Sequence, residues 1–182
     1  MTIKPFRPAA AILALAALAQ PQAAFAQQCV DQQDLADSVI YAMPLMAEAF
    51  EDKCGAQLKP DGFMATKGDA FVAPYRAQQA KKWPAAMRVL TVFAQSGGED
   101  NEGGEGMAEL FQSLPADAVR PFVDALIVQK LSEEIKTADC GKIERGVSLI
   151  APLPPQNTGA LVAFVFDLTG VDKPKLCPYR AK

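Results

Sequence analysis

The sequence predicts an all-α protein, a single compact domain of six or seven helices that is cross-linked by two disulfides and follows a cleaved signal peptide. Three observations support this prediction. Apolar residues recur every three or four positions along most of the chain, prolines and glycines divide these runs, and four widely spaced cysteines follow an apolar leader. A period of three to four residues places apolar side chains on one face of a helix, where they can be buried together.

Residues 1–26 have the features of a secretory signal peptide. Lys4 and Arg7 precede an unbroken apolar run over 9–19, and Ala24-Phe25-Ala26 places small residues at the last and third-last positions before the expected cleavage site. A leader of this kind is removed during export. We therefore expect a periplasmic or secreted protein that consists of residues 27–182.

The length and charge of residues 27–182 limit the class of protein. A chain of this size is long enough for one domain with a buried core. Without the two leader cations, 16 lysines and arginines stand against 21 acids, a net charge of −5. Nucleic-acid binding requires a basic face, and a membrane span requires about 20 consecutive apolar residues. We expect no nucleic-acid partner and no membrane span in the mature chain.

The first predicted helix spans 31–53, with Asp31 as its cap and Gly55 at its end. Its apolar face consists of residues three or four positions apart: Leu35, Val39, Met43, Met46 and Phe50. This spacing is typical of a helix that faces the core rather than of a cofactor site. Pro44 lies inside the helix and removes one backbone donor, so it predicts a kink or an interruption.

The next segments are predicted from their prolines and glycines. A loop over 57–67 contains the turn Pro60-Asp61-Gly62, and a second helix spans 69–82 with Asp69 as its cap. Trp83-Pro84 marks a boundary, because proline suits the first position of a third helix. That helix ends at Gly97. Residues 97–106 are acidic, glycine-rich and without apolar side chains, which predicts a mobile surface loop; their carboxylates do not match the order of an EF-hand calcium loop.

The C-terminal half is predicted to hold the remaining helices. A short helix over 107–114 precedes a longer one that Pro115 opens and that reaches 137. Asp139 is expected to cap a helix over 140–151, and prolines 152, 154 and 155 separate it from a last helix over 157–168. Residues 161–166 are continuously apolar and also suit a buried strand, although the length of the run favours a helix. The last two helices are expected to pack antiparallel.

The four cysteines, Cys29, Cys54, Cys140 and Cys177, all lie in the mature region. An even number in an exported chain predicts two disulfides, and none of the close pairs that zinc and redox sites use is present. A Cys140–Cys177 bond would join the ends of the last helical pair and leave Cys29–Cys54. That bond requires the chain to turn back near Pro44; if the first helix is continuous, Cys29 and Cys54 must each bond one of the C-terminal cysteines.

The absence of histidine excludes several classes of enzyme. The chain contains no histidine, so it has no Ser-His-Asp triad and no imidazole metal site, and the sequence implies no cofactor and no metal. Paired carboxylates remain as candidates: Glu48 with Asp52, and Asp34 with Asp37. A basic cluster of Arg76, Lys81, Lys82 and Arg88 is expected to be a solvated helix face rather than a phosphate site.

Three functional hypotheses follow. The first is a non-enzymatic binding or interaction module of the bacterial envelope, with an envelope protein as its partner. The second is a carrier of a small apolar ligand, in a pocket lined by Tyr41, Trp83 and phenylalanines. The third is a carboxylate-based enzyme that acts on glycans, which requires two acids in one cleft about 5–10 Å apart. The sequence indicates neither the ligand nor the oligomeric state.

Overall fold

The structure is a computed structural model that describes residues 29–96, 115–170 and 175–178. Within these residues the chain forms five α-helices: α1 (Gln32–Cys54), α2 (Phe63–Ser96), α3 (Ala116–Glu134), α4 (Cys140–Ile150) and α5 (Pro155–Leu168). The all-helical class and the two disulfides are confirmed. The count of six or seven helices is not confirmed: α2 is one helix where the sequence predicts two, and one further predicted helix falls on residues that the structure does not describe. The predicted signal peptide, the acidic loop 97–106 and the helix 107–114 lie outside the described residues.

Helix α1 is the central element, and α2, α3 and α5 all pack against it. Its predicted cap is confirmed, because the Asp31 carboxylate accepts hydrogen bonds from the backbone N–H groups of Gln33 at 2.8 Å and Asp34 at 3.3 Å. The helix continues through Pro44, which is buried. A proline inside a helix costs about 3 kcal/mol. Burial of α1 side chains on both sides of Pro44 offsets this cost and keeps the helix in one piece.

Helix α2 is uninterrupted from Phe63 to Ser96, although it contains Pro74 and Pro84. The predicted boundary at Trp83-Pro84 is therefore wrong, and Asp69 lies inside the helix rather than at its start. Trp83 is buried, and its indole N–H donates to the carbonyl of Ala116 at 3.2 Å. Because residues on both sides of Pro84 pack on α1 and α3, tertiary contacts outweigh the local preference of proline to end a helix.

A side chain from α4 fixes the start of α2. The Glu144 carboxylate accepts a hydrogen bond from the backbone N–H of Met64 at 2.9 Å. A Cβ at Gly62 would lie 2.5 Å from the same carboxylate oxygen, so glycine provides the space that Glu144 occupies. A negative charge beside the first turn also favours the helix dipole. This contact spans 80 residues, which explains why sequence analysis places the residues after 62 in a loop.

The described core consists of three clusters of buried side chains, each with members from α1. The largest joins α1 to the first half of α2 and to α4: Ile40, Met43, Ala47, Phe50, Cys54, Met64, Phe71, Val72, Tyr75 and Cys140. The second joins α1 to α3 and the middle of α2: Tyr41, Leu45, Trp83, Ala86, Val119 and Val123. The third includes α5 and the N-terminal strand: Val30, Leu35, Ala36, Val89 and Ala163.

The disulfides are Cys29–Cys177 and Cys54–Cys140, with Cα–Cα distances of 5.0 Å and 5.7 Å. Because α1 is continuous, its ends are too far apart for a Cys29–Cys54 bond, and the second predicted alternative is confirmed. The Cys140–Cys177 pairing is wrong. Two short parallel strands that the sequence does not predict, β1 (Cys29–Val30) and β2 (Lys175–Leu176), lie beside the first disulfide.

The last predicted element is a helix and not a strand, and it begins at Pro155. The chain changes direction by 119° between Thr137–Ile150 and Pro155–Leu168, which falls short of the reversal that an antiparallel hairpin needs. Helix α5 packs on α1 instead. The outward side of α5 is therefore determined by its contact with α1.

Candidate functional site

The outer face of α5 carries large apolar side chains that are exposed. Leu161, Phe164, Val165 and Leu168 follow the i, i+3, i+4, i+7 spacing of one helix face, and their exposed fractions run from 45% for Leu161 to 68% for Leu168. These four residues are called the α5 stripe below. A surface helix normally turns its apolar face toward the core. Helix α5 exposes this stripe although it lies on a folded domain.

The inner face of α5 is built from small side chains. Thr158, Gly159 and Ala163 are buried against the rest of the protein. A Cβ at Gly159 would lie 2.4 Å from the carbonyl oxygen of Ala36, so the backbones of α1 and α5 are in close contact there. This close approach leaves no space for the larger residues on the inner side. The orientation of α5, with the stripe outward, follows from this packing.

A buried hydrogen bond holds α5 in the same orientation. The Tyr75 hydroxyl donates to the Thr158 hydroxyl oxygen at 3.0 Å, and Thr158 is 1% exposed. A rotation of α5 that buried the stripe would break this bond and leave the buried Tyr75 hydroxyl without its partner, at a cost of about 1–3 kcal/mol. The stripe is therefore a fixed feature of the fold.

The α5 stripe is apolar and uncharged, and Asp167 is the one charged residue of the helix. With roughly 200 Å² of accessible surface for a side chain of this size, the four residues expose on the order of 400 Å². The largest apolar patch on a typical soluble monomer is about 300–600 Å² and is often functional, so a patch of this size is a candidate interaction site. Sequence analysis missed this site because it predicts a helix over the apolar run 161–166, with a buried strand as the alternative, and does not assign an exposed face to it. Residues 161–166 are all apolar, so they cannot all lie on one buried face of a helix. This excess of apolar residues is the sequence feature that could have indicated an exposed apolar face.

A second feature is a cleft of about 440 Å³ between α1 and α3. Its lining includes the predicted carboxylate pair and a third acid that sequence analysis missed: Glu48, Asp52, Ala125, Val128, Gln129, Ser132 and Glu133. All three acids are exposed. Glu133 accepts hydrogen bonds from Lys130 and Gln129, both at 3.0 Å, and these bonds lower its pKa, the one to Lys130 most strongly.

This cleft does not have the electrostatics of a glycosidase site. A glycosidase needs one carboxyl group whose pKa is raised so that it carries a proton at neutral pH. Burial is the usual cause of such a shift. Glu48, Asp52 and Glu133 are exposed, and Glu133 has a lowered pKa, so hydrogen bonding holds it in the ionised form. The structure brings these acids together without the desolvation that acid catalysis requires.

The other predicted carboxylate pair is part of the contact between α1 and α2. Asp34 accepts two hydrogen bonds from the Arg88 guanidinium, at 2.6 Å and 2.7 Å, and Asp37 pairs with Lys82 at 2.8 Å. The hydrogen bonds to Asp34 raise the pKa of Arg88. Two members of the predicted basic cluster therefore neutralise the two acids. This arrangement supports a structural role for all four residues.

Tyr41 and Trp83, predicted as possible pocket residues, belong to the core. Their ring centroids are 5.2 Å apart, and both side chains are buried. The Tyr41 hydroxyl donates a hydrogen bond to Asp124, and the Arg120 guanidinium lies 5.4 Å from the centroid of the Tyr41 ring. Burial, together with the hydrogen bond to Asp124, raises the pKa of Tyr41 well above its ordinary value. These aromatic rings fill space between α1, α2 and α3.

Among residues 29–96, 115–170 and 175–178, no group of three or more acidic or cysteine side chains is arranged to hold a metal ion. In the same part of the chain no single helix is long and apolar enough to cross a membrane. The length and composition of a membrane span are reached only by a bent pair of segments, Thr137–Ile150 and Pro155–Leu168. The possible calcium ligands of the loop 97–106 lie outside the described residues.

The α5 stripe is thus the surface feature that calls for a functional explanation. The cleft acids are solvated, Arg76 and Lys81 are exposed on α2 as predicted, and the other predicted groups are ion-paired or packed in the core. The cysteines predicted as site residues are all in structural cross-links. Comparisons with known proteins add no relative, because no family model, no curated protein and no solved structure matches this chain.

Proposed function

We propose that this chain is an exported, non-enzymatic interaction module of the bacterial envelope that binds protein through the α5 stripe. The observation that carries the proposal is the outward orientation of Leu161, Phe164, Val165 and Leu168 on a helix whose inner face is fixed by Gly159 and Thr158. Helices that dock on protein partners use apolar anchors at this spacing. Covering the stripe removes its apolar surface from water, which is the main driving force for association.

Export is supported by the leader and by the cysteines. Residues 1–26 have the charge, apolar run and small residues of a signal peptide, and the two disulfides are compatible with an oxidising compartment. A cleaved leader exposes Gln27 as the first residue of the mature protein. N-terminal sequencing of protein recovered from the periplasm or the medium tests this part of the proposal directly.

The other two hypotheses have weaker support. A carrier of an apolar ligand needs a concave apolar site, whereas the cleft between α1 and α3 has Glu48, Asp52 and Glu133 in its lining. An enzyme that acts on glycans needs a protonated acid, whereas these three acids are exposed. The α5 stripe is convex, apolar and on the surface, which suits a protein partner better than either kind of small molecule.

Site-specific photocrosslinking tests the proposed binding face. A photoreactive benzoylphenylalanine replaces Phe164 in one strain and Phe122 in another, and the cells are irradiated with the protein in its native compartment. The two positions are matched, because Phe164 is 54% exposed on α5 and Phe122 is 55% exposed on α3. We expect a protein adduct of higher mass from position 164 and little or none from position 122.

Two results would contradict the proposed function. One is the absence of a protein adduct from position 164 although the photoreactive protein is present at its normal level. The other is equal yields from positions 164 and 122, which would mean that exposure alone, rather than the α5 stripe, determines crosslinking.

A further inference from the structure

We infer that the α5 stripe binds a second copy of this chain, so that the protein forms a two-fold symmetric dimer through α5. This inference rests on the proposed function and identifies the partner of the same face. It depends on the area of the stripe, on its charge, and on the positions of its four residues along the helix.

The area of the stripe matches half of a small dimer interface. A specific protein interface buries about 1,000 Å² or more in total. Two copies of the stripe contribute roughly 800 Å² at about 200 Å² per fully exposed side chain, which is below this threshold and in the range of weak, transient interfaces. An interface of this size is at the weak end of the range, so we expect association in the micromolar range.

The charge of α5 favours a second copy over a lipid surface. Helices that lie in a membrane interface usually carry lysines and arginines on their polar face, which bind anionic lipids. Helix α5 contains neither, and Asp167 is its one charged residue. The whole chain is acidic as well, so an anionic membrane would repel it. Two copies of an uncharged stripe meet without placing like charges in the interface.

The positions of the stripe residues suit a two-fold contact. In such a contact the same patch of both copies meets itself. If the two α5 helices cross antiparallel, Leu161 of one copy lies toward Leu168 of the other. The midpoint between positions 161 and 168 falls between Phe164 and Val165, so the two-fold axis passes beside Phe164. Phe164 then contacts its own counterpart, and this position is the most sensitive test of the dimer.

Sedimentation velocity of the purified, oxidised protein provides the test, over concentrations from about 1 μM to about 200 μM. We expect the wild-type mass to rise from that of one chain toward twice that value. Phe164→Glu is expected to remain a single chain throughout, because it places two carboxylates together at the axis. Phe122→Glu makes the same change at an equally exposed position outside α5 and is expected to associate as the wild type does. Circular dichroism verifies that each variant is folded.

A mixing experiment tests the symmetry. Phe164→Glu and Phe164→Lys are each expected to be single chains, whereas an equimolar mixture is expected to contain dimers, because opposite charges then meet at the axis. Dimers in the mixture support the two-fold contact at Phe164, and a mixture that stays dissociated overturns it. Equal loss of association in Phe122→Glu and Phe164→Glu overturns the assignment to α5.

The outcomes also separate this inference from the proposed function. A wild-type protein that remains a single chain at the highest concentration, while position 164 crosslinks to a different protein, overturns the dimer and leaves the interaction module in place. A single chain that gives no adduct at position 164 overturns both. Adducts that consist of two copies of this chain support both.

Discussion

Gly159 is the residue at which α1 and α5 come closest. A Cβ at this position would lie 2.4 Å from the carbonyl oxygen of Ala36 and 3.1 Å from its carbonyl carbon. Both are backbone atoms, so neither moves away without shifting α1. Overpacking of this kind typically costs about 1–3 kcal/mol, and we expect Gly159→Ala to lower the free energy of unfolding by that amount. Urea denaturation followed by far-ultraviolet circular dichroism measures the change.

Gly146 is a matched control for Gly159. It also lies inside a helix, α4, but a Cβ there has no neighbouring atom within 4 Å. Alanine has a better helix propensity than glycine by roughly 0.5–1 kcal/mol, so Gly146→Ala is expected to raise stability slightly. Similar effects of the two substitutions would show that Gly159 has no special role in the contact between α1 and α5.

Tyr41 makes stability depend on pH in the alkaline range. Its pKa is raised above the ordinary value of 10.0 by burial and by the hydrogen bond to Asp124. Below about pH 10 both the folded and the unfolded state hold the proton, so this group has no effect on the pH dependence. Above that value the unfolded chain releases the proton and the folded chain keeps it. The contribution of Tyr41 to stability is therefore lost as the pH rises, by up to about 1.4 kcal/mol per pH unit.

The substitution Tyr41→Phe tests whether Tyr41 makes the protein less stable as the pH rises. The variant is expected to be less stable at neutral pH by about 1 kcal/mol, because the hydrogen bond to Asp124 is lost, and its stability is expected to fall less steeply with alkaline pH. Urea midpoints of both proteins between neutral pH and about pH 11 provide the comparison. A constant difference between the two proteins across this range would contradict the raised pKa of Tyr41.

Residue-level features are predictable from the sequence when they depend on near neighbours. The Asp31 cap and the core positions Met43 and Phe50 are confirmed, because spacing and short-range hydrogen bonds determine them. Asp139 was expected to cap α4, but its carboxylate accepts a hydrogen bond from Lys142 at 2.8 Å instead. A 3-10 turn over Thr137–Asp139 precedes α4, so Asp139 has a helical backbone rather than the extended backbone of a typical cap.

Helix boundaries at prolines are the main error at the level of elements. The sequence predicts a kink or break at Pro44 and a boundary at Pro84, yet both prolines lie inside continuous helices. The preference of proline to end a helix predicts a helix boundary correctly only where no stronger tertiary contact opposes it. Side chains of Tyr41 and Leu45, close to Pro44, pack in the same cluster as Trp83 and Ala86, on either side of Pro84. Burial on both sides of each proline therefore holds the helices together.

The candidate sites are predictable only in part, for a related reason. The i, i+4 spacing of Glu48 and Asp52 correctly places them on one face of α1. Glu133 joins them from α3, and helix periodicity alone does not indicate which faces of two distant helices meet. The helical state of α5 was predicted, but its outward orientation depends on the contact of Gly159 with Ala36. That contact involves residues more than 120 positions apart.

At the scale of the whole molecule, the disulfides connect segments that are far apart in the sequence. Cys29–Cys177 joins residues 148 positions apart, and Cys54–Cys140 joins residues 86 positions apart. The second bond lies in the largest core cluster, at the end of α1, and ties α1 to α4. Together with the central position of α1, these two bonds connect both ends of that helix to C-terminal segments. Reduction of both bonds would therefore release both ends of α1 from these C-terminal segments.

The size of these loops predicts that the reduced protein is barely stable. Loop-closure entropy alone gives at most about 4–5 kcal/mol for each bond, and a domain of this size has a total stability of roughly 5–15 kcal/mol. Loss of both bonds therefore removes an amount of free energy comparable with the total stability of the domain. We expect the fully reduced chain to unfold at a much lower urea concentration than the oxidised chain. Peptide mapping without reduction is expected to give the pairs Cys29–Cys177 and Cys54–Cys140.

The order of reduction tests the same prediction one bond at a time. Cys54 and Cys140 are buried, whereas Cys29 and Cys177 are half-buried at the surface, so a mild reductant is expected to open Cys29–Cys177 first. Alkylation of the released thiols, followed by mass spectrometry, identifies the opened bond. The partly reduced protein is expected to have a urea midpoint between those of the oxidised and fully reduced forms. Equal midpoints for all three would mean that noncovalent packing around α1 is sufficient, and that this fold does not depend on an oxidising compartment.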